Sequence, residues 1–265
     1  MISQLYRKDL NMGGWFSFNS TKEDWKGFYA KRMAEHFFNL NRIEDTFDKV
    51  AITEETLITK NLNFSGIKDK RVLVIGAGPS SSELNEEILS SYDYIFSCNH
   101  FYRNNFLKNQ KIDLILVGDE INLNDTEFIN YLKRFKPVVG FEHSSRRASS
   151  DIIRFKKINP KAFVYLTRYF SRLGYVARAC VLARCMGAAH IDFIGMDGFR
   201  NNVHYFEKLK NPPPFNDNEK FREQMKIFCQ YMIKDLKVVN FNNLSENSKH
   251  SIYGNILSEV KNEKN

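Results

Sequence analysis

The segment VLVIGAGPSSSELN, residues 72–85, is the part of this sequence that is most informative about its fold class. It opens with a short, branched apolar run, which is typical of a strand that is buried on both faces in a parallel sheet. Two closely spaced glycines and a proline follow, and then serines and acidic residues that favour the start of a helix. The stretch therefore predicts a strand, a glycine turn and a helix in succession.

The chain from residue 70 onward repeats this alternation of strand and helix patterns. Further predicted strands are DYIFSCNHF, IDLILVGDE, PVVGF, AFVYLT, HIDFIGMDGF and KVVNFNN, and further predicted helices are TEFINYLKRF, LGYVARACVLARCMGA and NDNEKFREQMKIFCQYMIKDL. Strands that alternate with helices in this way predict an α/β, Rossmann-like fold with a mainly parallel sheet and helices on both faces. The tail SEVKNEKN is expected to fray.

The first 65 residues have a different pattern. Ser20 and Thr21, followed by acidic residues, are a helix start signal, and apolar residues then recur at helical spacing. We expect residues 1–65 to form a helical extension, with a second, shorter helix near residues 53–60. The Rossmann-like domain then spans residues 66–265.

Composition limits the classes of protein that fit. No apolar run approaches the roughly 18 residues of a membrane-spanning helix, and the first residues lack the apolar core of a secretory signal, so we expect a cytoplasmic protein. The four cysteines form no Cys-x-x-Cys pair, which argues against zinc and predicts free thiols.

The positive charge is concentrated in one part of the chain. The formal net charge is +8, but residues 133–184 alone hold 13 Lys and Arg against Glu142 and Asp151, a net of +11. Such a block implies an anionic partner, which leaves open a nucleotide phosphate, a nucleic acid or an acidic surface. The other interpretation is a solvated basic face with no partner.

The glycine turn predicts an anion site, because free N–H groups and the helix dipole at a helix start favour negative charge. Ser81 stands where the dinucleotide fingerprint needs its third glycine, and the next strand ends in Cys98-Asn99-His100 without an acid. The lysine of a P-loop is missing as well. A nucleotide or sugar-nucleotide site remains, and so does a tight turn with no ligand.

Polar residues follow several of the other predicted strands. Asn99, Asp119, Glu120 and Asp197 each come directly after an apolar run. Because ligands of open parallel sheets bind beyond the carboxyl ends of the strands, we expect these residues to line the same edge as the glycine turn.

These strand ends resemble motifs of bacterial nucleotide-dependent transferases. In sialyltransferases that use CMP-activated sialic acid, strands end in Gly-x-Gly-Pro-Ser, Cys-Asn-x-Phe-Tyr and Gly-x-Asp, which correspond here to residues 76–80, 98–102 and 195–197. The motility-accessory-factor and MptE-like group, which contains proposed nonulosonic-acid transferases and archaeal pterin diphosphokinases, also carries Gly-x-Gly-Pro-Ser. The resemblance covers about residues 70–245 of this chain.

The resemblance implies a set of binding residues. Gly76, Gly78, Pro79 and Ser80 would surround the nucleotide phosphates and ribose, and Asn99 would contact the nucleotide. Ser171 and Gly174 correspond to a Ser-Gly pair before the long middle helix of the family. The further binding candidates are Asp119 and Asp197 at strand ends and Tyr205 after the last of these strands.

The resemblance also implies a catalytic histidine. The general base of the sialyltransferases is a histidine in the segment after Gly-x-Asp, and His204 is the histidine of that segment here. His100, beside Asn99, is a competing candidate, whereas His190 at the start of a strand is expected at the opposite edge in a structural role. A base near neutral pH suits removal of a proton from an acceptor hydroxyl.

Positive charge or hydroxyl donors must stabilise the departing phosphate, and Arg168, Arg172 and Tyr205 are the candidates for this role. The loop near residues 200–218, with three consecutive prolines, is expected either to close over the donor as a lid or to be a plain surface connection.

We therefore expect a transferase that moves a sialic or related nonulosonic acid from a CMP-sugar donor to a glycan or other hydroxyl acceptor. It would use neither metal nor cofactor, bind no nucleic acid stably, and form a homo-oligomer with peripheral association at a membrane. The alternatives are a magnesium-dependent diphosphokinase that uses ATP, with Asp119, Glu120 and Asp197 as metal ligands, and a non-enzymatic nucleic-acid-binding protein.

Overall fold

A computed structural model describes residues 50–52, 56–59, 66–118, 120–142, 149–167, 173–198, 218–251 and 254–262. The fold is α/β and Rossmann-like, as predicted. The described residues form a nine-stranded sheet in the order β1-β2-β7-β6-β5-β4-β3-β8-β9. The strands are β1 (Val50–Ile52), β2 (Thr56–Thr59), β3 (Arg71–Ile75), β4 (Tyr94–Cys98), β5 (Leu114–Val117), β6 (Val138–Glu142), β7 (Ala162–Thr167), β8 (His190–Ile194) and β9 (Asn240–Asn243).

The seven neighbouring strands β7-β6-β5-β4-β3-β8-β9 all pair in parallel. The remaining two pairs, β1 with β2 and β2 with β7, are antiparallel. The described helices are α1 (Glu86–Ser90), α2 (Thr126–Phe135), α3 (Ser149–Ile158), α4 (Tyr175–Cys185), α5 (Asn218–Gln230) and α6 (Ile256–Asn262). Short 3-10 turns at Pro79–Glu83, Asn99–Arg103 and Leu244–Asn247 follow β3, β4 and β9.

Alternating side chains of the strands divide the core into two layers. Val72 and Val74 of β3 face a layer that includes α4, α5 and α6, whereas Leu73 and Ile75 face a layer that includes α1, α2 and α3. All four β3 side chains are fully buried. This burial on both faces explains why the sequence of β3 is continuously apolar rather than alternating.

The strand order reverses at β3. From β3 the chain moves to one side through β4, β5, β6 and β7, and it returns through α4 to the other side of β3 as β8. The boundary between β3 and β8 is therefore a switch point, the position at which open parallel sheets bind ligands beyond the carboxyl ends of their strands.

Several local predictions are wrong, each for a physical reason. Residues 56–59 form a strand and not a helix, because the β-branched sequence TLIT suits pairing with β7. Residues 79–90 form a 3-10 turn and the short helix α1 rather than one helix, and Asn85 caps α1. The tail is helical from Ile256 to Asn262, because it buries one face of α6 against the core.

None of the helices in the described ranges has the length and apolarity that crossing a membrane requires. The four cysteines are free, as predicted, and three of them are buried.

Candidate functional site

Several of the predicted site residues lie at one edge of the sheet, which we call the rim. The rim consists of the carboxyl ends of β8, β3, β4 and β5 and the start of α4. Other predicted residues lie outside the described residues, so the structure does not address them. These are Asp119, Arg168, Ser171, Arg172, His204 and Tyr205, together with the predicted loop near residues 200–218 apart from its last residue.

The glycine turn packs against the loop after β8 at backbone contact distance. The Gly76 N–H donates to the Ile194 carbonyl at 2.8 Å, and the Gly78 N–H donates to the Gly195 carbonyl at 3.0 Å. A Cβ on Gly76 would lie 2.5 Å from the Gly195 oxygen, and one on Gly78 would lie 2.5 Å from an Asp197 carboxylate oxygen. The loop after β8 therefore fills the space next to Gly76 and Gly78, where the sequence predicted a ligand.

Ser80 is fully buried and bonded on both its backbone and its side chain. Its N–H donates to Asp197 Oδ2 at 2.7 Å. Its Oγ lies 2.9 Å from Ser245 Oγ, and both hydroxyls accept from the Gly195 N–H, at 3.0 and 3.1 Å. The expectation that the N–H groups of Gly78 and Ser80 point outward to an anion is therefore wrong, because both are used to join β3 to β8.

Asp197 retains one unused acceptor at the rim. The side chain is 3% exposed, and its Oδ2 accepts from the Ser80 N–H, but its Oδ1 has no hydrogen-bond partner among the described residues. A buried carboxylate oxygen without a donor is unfavourable by about 1–3 kcal/mol or more. Asp197 Oδ1 is therefore a candidate at the rim to accept a hydrogen bond from a ligand hydroxyl or amine.

Asn99 joins the ends of β4 and β5. Its backbone is left-handed, with φ of 46°, which asparagine tolerates better than most residues. The side-chain oxygen accepts from the Gly118 N–H at 2.8 Å, and the side-chain nitrogen donates to the Glu120 carboxylate. Asn99 thus lies on the predicted edge, and its amide already has protein partners there.

The start of α4 closes the rim from one face. Gly174 precedes this helix with φ of 83°, a conformation that favours glycine. A Cβ on Gly76 would lie 2.6 Å from Val176 Cγ2, and one on Gly118 would lie 2.5 Å from the Tyr175 ring. The first turn of α4 therefore packs directly over the ends of β3 and β5.

The described histidines lie in different surroundings. His100 is half-buried in the 3-10 turn after β4, and desolvation and the nearby Arg103 lower its pKa. His190 opens β8 at the opposite edge of the sheet, as predicted, and its Nδ1 lies 2.6 Å from the Asn240 side-chain nitrogen. His250 Nε2 lies 3.9 Å from Glu83 Oε1. Of these three, His100 is the one beside a predicted site residue.

Burial also determines the ionisation of the cysteine near the rim. Cys98 ends β4, and desolvation, with a smaller effect from the Glu120 charge, raises the pKa of its thiol to about 12. The thiol is therefore protonated near neutral pH and is a poor nucleophile. Over the described ranges, no three His, Cys, Asp or Glu side chains are grouped so that they could hold a metal ion.

Two contributors to the rim carry no signal in the sequence. Ser245 follows β9 and reaches Ser80 across 165 positions of the chain. Tyr175 begins α4, and an aromatic residue there is typical of an ordinary core position. Arg178, one turn further on, is 7% exposed and lies 5.0 Å from the centre of the Tyr175 ring. Only the close approach of Gly118 to this ring identifies Tyr175 as part of the rim.

No protein-family model matches this chain, and no curated protein matches it either.

Proposed function

We propose that this protein is a glycosyltransferase that moves a sialic or related nonulosonic acid from a CMP-sugar to a hydroxyl acceptor without a metal ion. The observation that carries the proposal is Asp197 Oδ1, a buried carboxylate oxygen with no described donor, at the switch point of a Rossmann-like sheet. The motif resemblance supports the same assignment, because Asp197 ends the Gly-x-Asp motif and touches the Gly-x-Gly-Pro-Ser turn through Ser80.

The proposed reaction is a single displacement. The acceptor oxygen forms a bond to the anomeric carbon of the donor sugar, and the bond from that carbon to the phosphate oxygen breaks. CMP departs with the electron pair of the broken bond. The acceptor proton passes to a general base, for which His204 is the candidate that the resemblance supplies.

The rim suggests how a donor would be oriented. Asp197 Oδ1 would accept from a hydroxyl of the ribose, since a carboxylate acts only as an acceptor when ionised. The N–H groups in the first turn of α4 favour negative charge, which suits the phosphate. Because Gly76, Gly78 and Ser80 are occupied by β8 and its loop, their proposed part is to hold Asp197 in place rather than to bind the phosphate themselves.

Calorimetric titration with CMP, with and without Mg²⁺, tests the proposal. We expect CMP to bind equally well in both conditions. Asp197→Asn keeps the shape of the side chain but removes its charge, and it should weaken CMP binding about tenfold or more, because hydrogen bonds to charged groups contribute roughly 1.5–3 kcal/mol. A wild-type protein that binds no CMP would contradict the proposal.

Two further variants sharpen the test. Asp192→Asn alters a buried carboxylate within β8 that already accepts from the Tyr92 hydroxyl and the Asn242 amide, so it should lower stability and leave CMP binding intact. His204→Ala should abolish sugar transfer while CMP still binds. ATP binding that strictly requires Mg²⁺, with turnover of ATP, would instead assign the diphosphokinase activity.

A further inference from the structure

We propose that the edge of the sheet opposite the rim binds the surface of an anionic lipid bilayer. This edge carries a cluster that we call the basic surface. Its members precede β5, β6 and β7, which are neighbours in the sheet. They are Lys108, Lys111, Lys133, Arg134, Lys136, Lys156, Lys157 and Lys161.

Hydrogen bonds join the three chain segments that supply this surface. Lys161 Nζ donates to the Lys136 carbonyl at 3.3 Å, and the Asn159 amide donates to the Pro137 carbonyl at 3.1 Å. The Arg134 guanidinium lies 3.4 Å from Asn109 Oδ1, which joins the end of α2 to the turn before β5. The cations therefore share one continuous surface, although Lys108 and Lys161 lie far apart in the chain.

The charge of the basic surface is largely uncompensated. Lys111 forms an ion pair with Asp113 at 3.1 Å. Across the described ranges, six other members have no carboxylate within 4.0 Å, namely Lys108, Lys133, Arg134, Lys136, Lys157 and Lys161. The acids of α2 and α3, Glu127 and Asp151, lie in the first turns of those helices, at the rim end. A positive surface of this kind attracts anionic headgroups over about a Debye length.

An exposed apolar side chain within the cluster favours a bilayer over a nucleic acid. Ile158 is 46% exposed at the end of α3, directly after Lys157 and three residues before Lys161. Of the side chains that the structure describes, Ile158 and Val239 are the large hydrophobic ones that remain exposed. Cations around an apolar side chain are typical of surfaces that lie in the headgroup region of a membrane, whereas a phosphate backbone offers an isoleucine no favourable contact.

Membrane binding through this surface would orient the whole molecule. The basic surface precedes β5, β6 and β7, and the rim follows the carboxyl ends of the same parallel strands. The rim would therefore face away from the bilayer and stay open to the aqueous phase. This inference does not depend on the proposed glycosyltransferase activity.

Vesicle sedimentation with the full chain tests the proposal. We expect binding to vesicles of phosphatidylcholine mixed with phosphatidylglycerol at about 0.1 M salt, little binding to phosphatidylcholine alone, and release by added salt. The triple variant Lys133→Gln, Lys157→Gln, Lys161→Gln should bind the anionic vesicles at least about tenfold more weakly. The triple variant Lys226→Gln, Lys249→Gln, Lys261→Gln makes the same change in net charge on α5, on α6 and after β9, away from this edge, and should bind within about twofold of wild type.

Ile158→Gln separates a bilayer from a nucleic acid. It should weaken binding to the anionic vesicles severalfold and leave any binding of a single-stranded oligonucleotide unchanged. Equal loss in both triple variants, or equal binding to neutral and anionic vesicles, would overturn the proposal. So would an oligonucleotide that binds through the same lysines while vesicles do not bind. Thermal melts would verify that each variant is folded, and CMP titration of the first triple variant would show whether the rim is unaffected.

Discussion

At the scale of single residues, burial near the rim sets how readily individual groups ionise. His100 lies beside Asn99 in the turn after β4, and the lowered pKa of this side chain arises first from desolvation and then from the positive charge of Arg103. Asp125 acts in the opposite direction, but its effect is the smallest of the three. The neutral imidazole is thus favoured in the folded protein.

The lowered pKa of His100 predicts a dependence of stability on pH. The unfolded chain takes up a proton at His100 near pH 6.5, whereas the folded chain does so only at lower pH. Above pH 6.5, His100 should therefore have no effect on the free energy of unfolding. Below pH 6.5, the free energy of unfolding should fall as the pH drops through the pKa that His100 has in the folded protein. Urea unfolding of wild type and His100→Gln at a series of pH values measures the effect. The prediction is refuted if the free energy of unfolding falls as steeply with decreasing pH in His100→Gln as in wild type.

Asp197 and Ser80 show how one buried polar contact can shape a site. Ser80 uses its N–H to hold one oxygen of the Asp197 carboxylate, and its hydroxyl is shared with Ser245 and Gly195. These bonds fix the position of the carboxylate, while its second oxygen stays without a partner among the described residues. A fixed and partly unsatisfied acceptor is better suited to bind a ligand than one that must first reorganise.

At the scale of structural elements, the glycine turn serves to bring β3 against β8. Gly76 and Gly195 approach so closely that a Cβ on either would lie 2.5 Å from the carbonyl oxygen of the other. Backbone atoms cannot move aside as a flexible side chain can. The turn therefore needs glycine for space at Gly76, whereas positions such as Gly254 need it for their backbone conformation alone.

The two roles of glycine predict different losses of stability. Gly76→Ala should destabilise the fold by about 3 kcal/mol through overpacking against Gly195 and Val176. Gly254→Ala is a matched control, since its φ is 62° and a Cβ there would meet nothing within 4 Å, so only about 1–2 kcal/mol of backbone strain is expected. Chemical denaturation gives both values, and equal losses would contradict the close-packing argument.

At the scale of the whole molecule, the two core layers protect most of the thiols. Cys98, Cys180 and Cys229 are buried, and desolvation raises the pKa of each thiol. Cys185 ends α4 and is partly exposed. A thiol reacts as the thiolate, so burial and a raised pKa both slow its modification.

Alkylation of the native protein near pH 8 should therefore modify Cys185 first. The other three cysteines should react only as fast as the core opens, and all four should react in denaturant. Mass spectrometry of peptides from each condition identifies the labelled positions. Rapid native labelling of Cys98, at the end of β4, would show that this part of the rim is more open than the structure indicates.

Local sequence determined most of the parallel sheet. Continuous apolar runs placed β3, β5 and β8, and the helical periodicity of TEFINYLKRF placed α2 at Thr126–Phe135. These patterns are readable because burial on both faces of a strand, or on one face of a helix, acts on neighbouring residues. The strand at residues 56–59 and helix α6 were missed, because both owe their structure to partners distant in the chain, β7 and α5.

The candidate site, like the fold, has features that local sequence predicts and features that depend on contacts between distant residues. The order of residues along the chain shows that glycines, Asn99 and Asp197 follow buried strands, and parallel strands must bring such residues to one edge. Which of their polar groups remain available to a ligand depends on contacts between distant parts of the folded chain. Ser80 meets Asp197 across 117 positions and Ser245 across 165, so no local pattern reveals that these bonds consume the N–H groups of the turn. A hydrogen bond depends on distance in space, and the sequence records distance only along the chain.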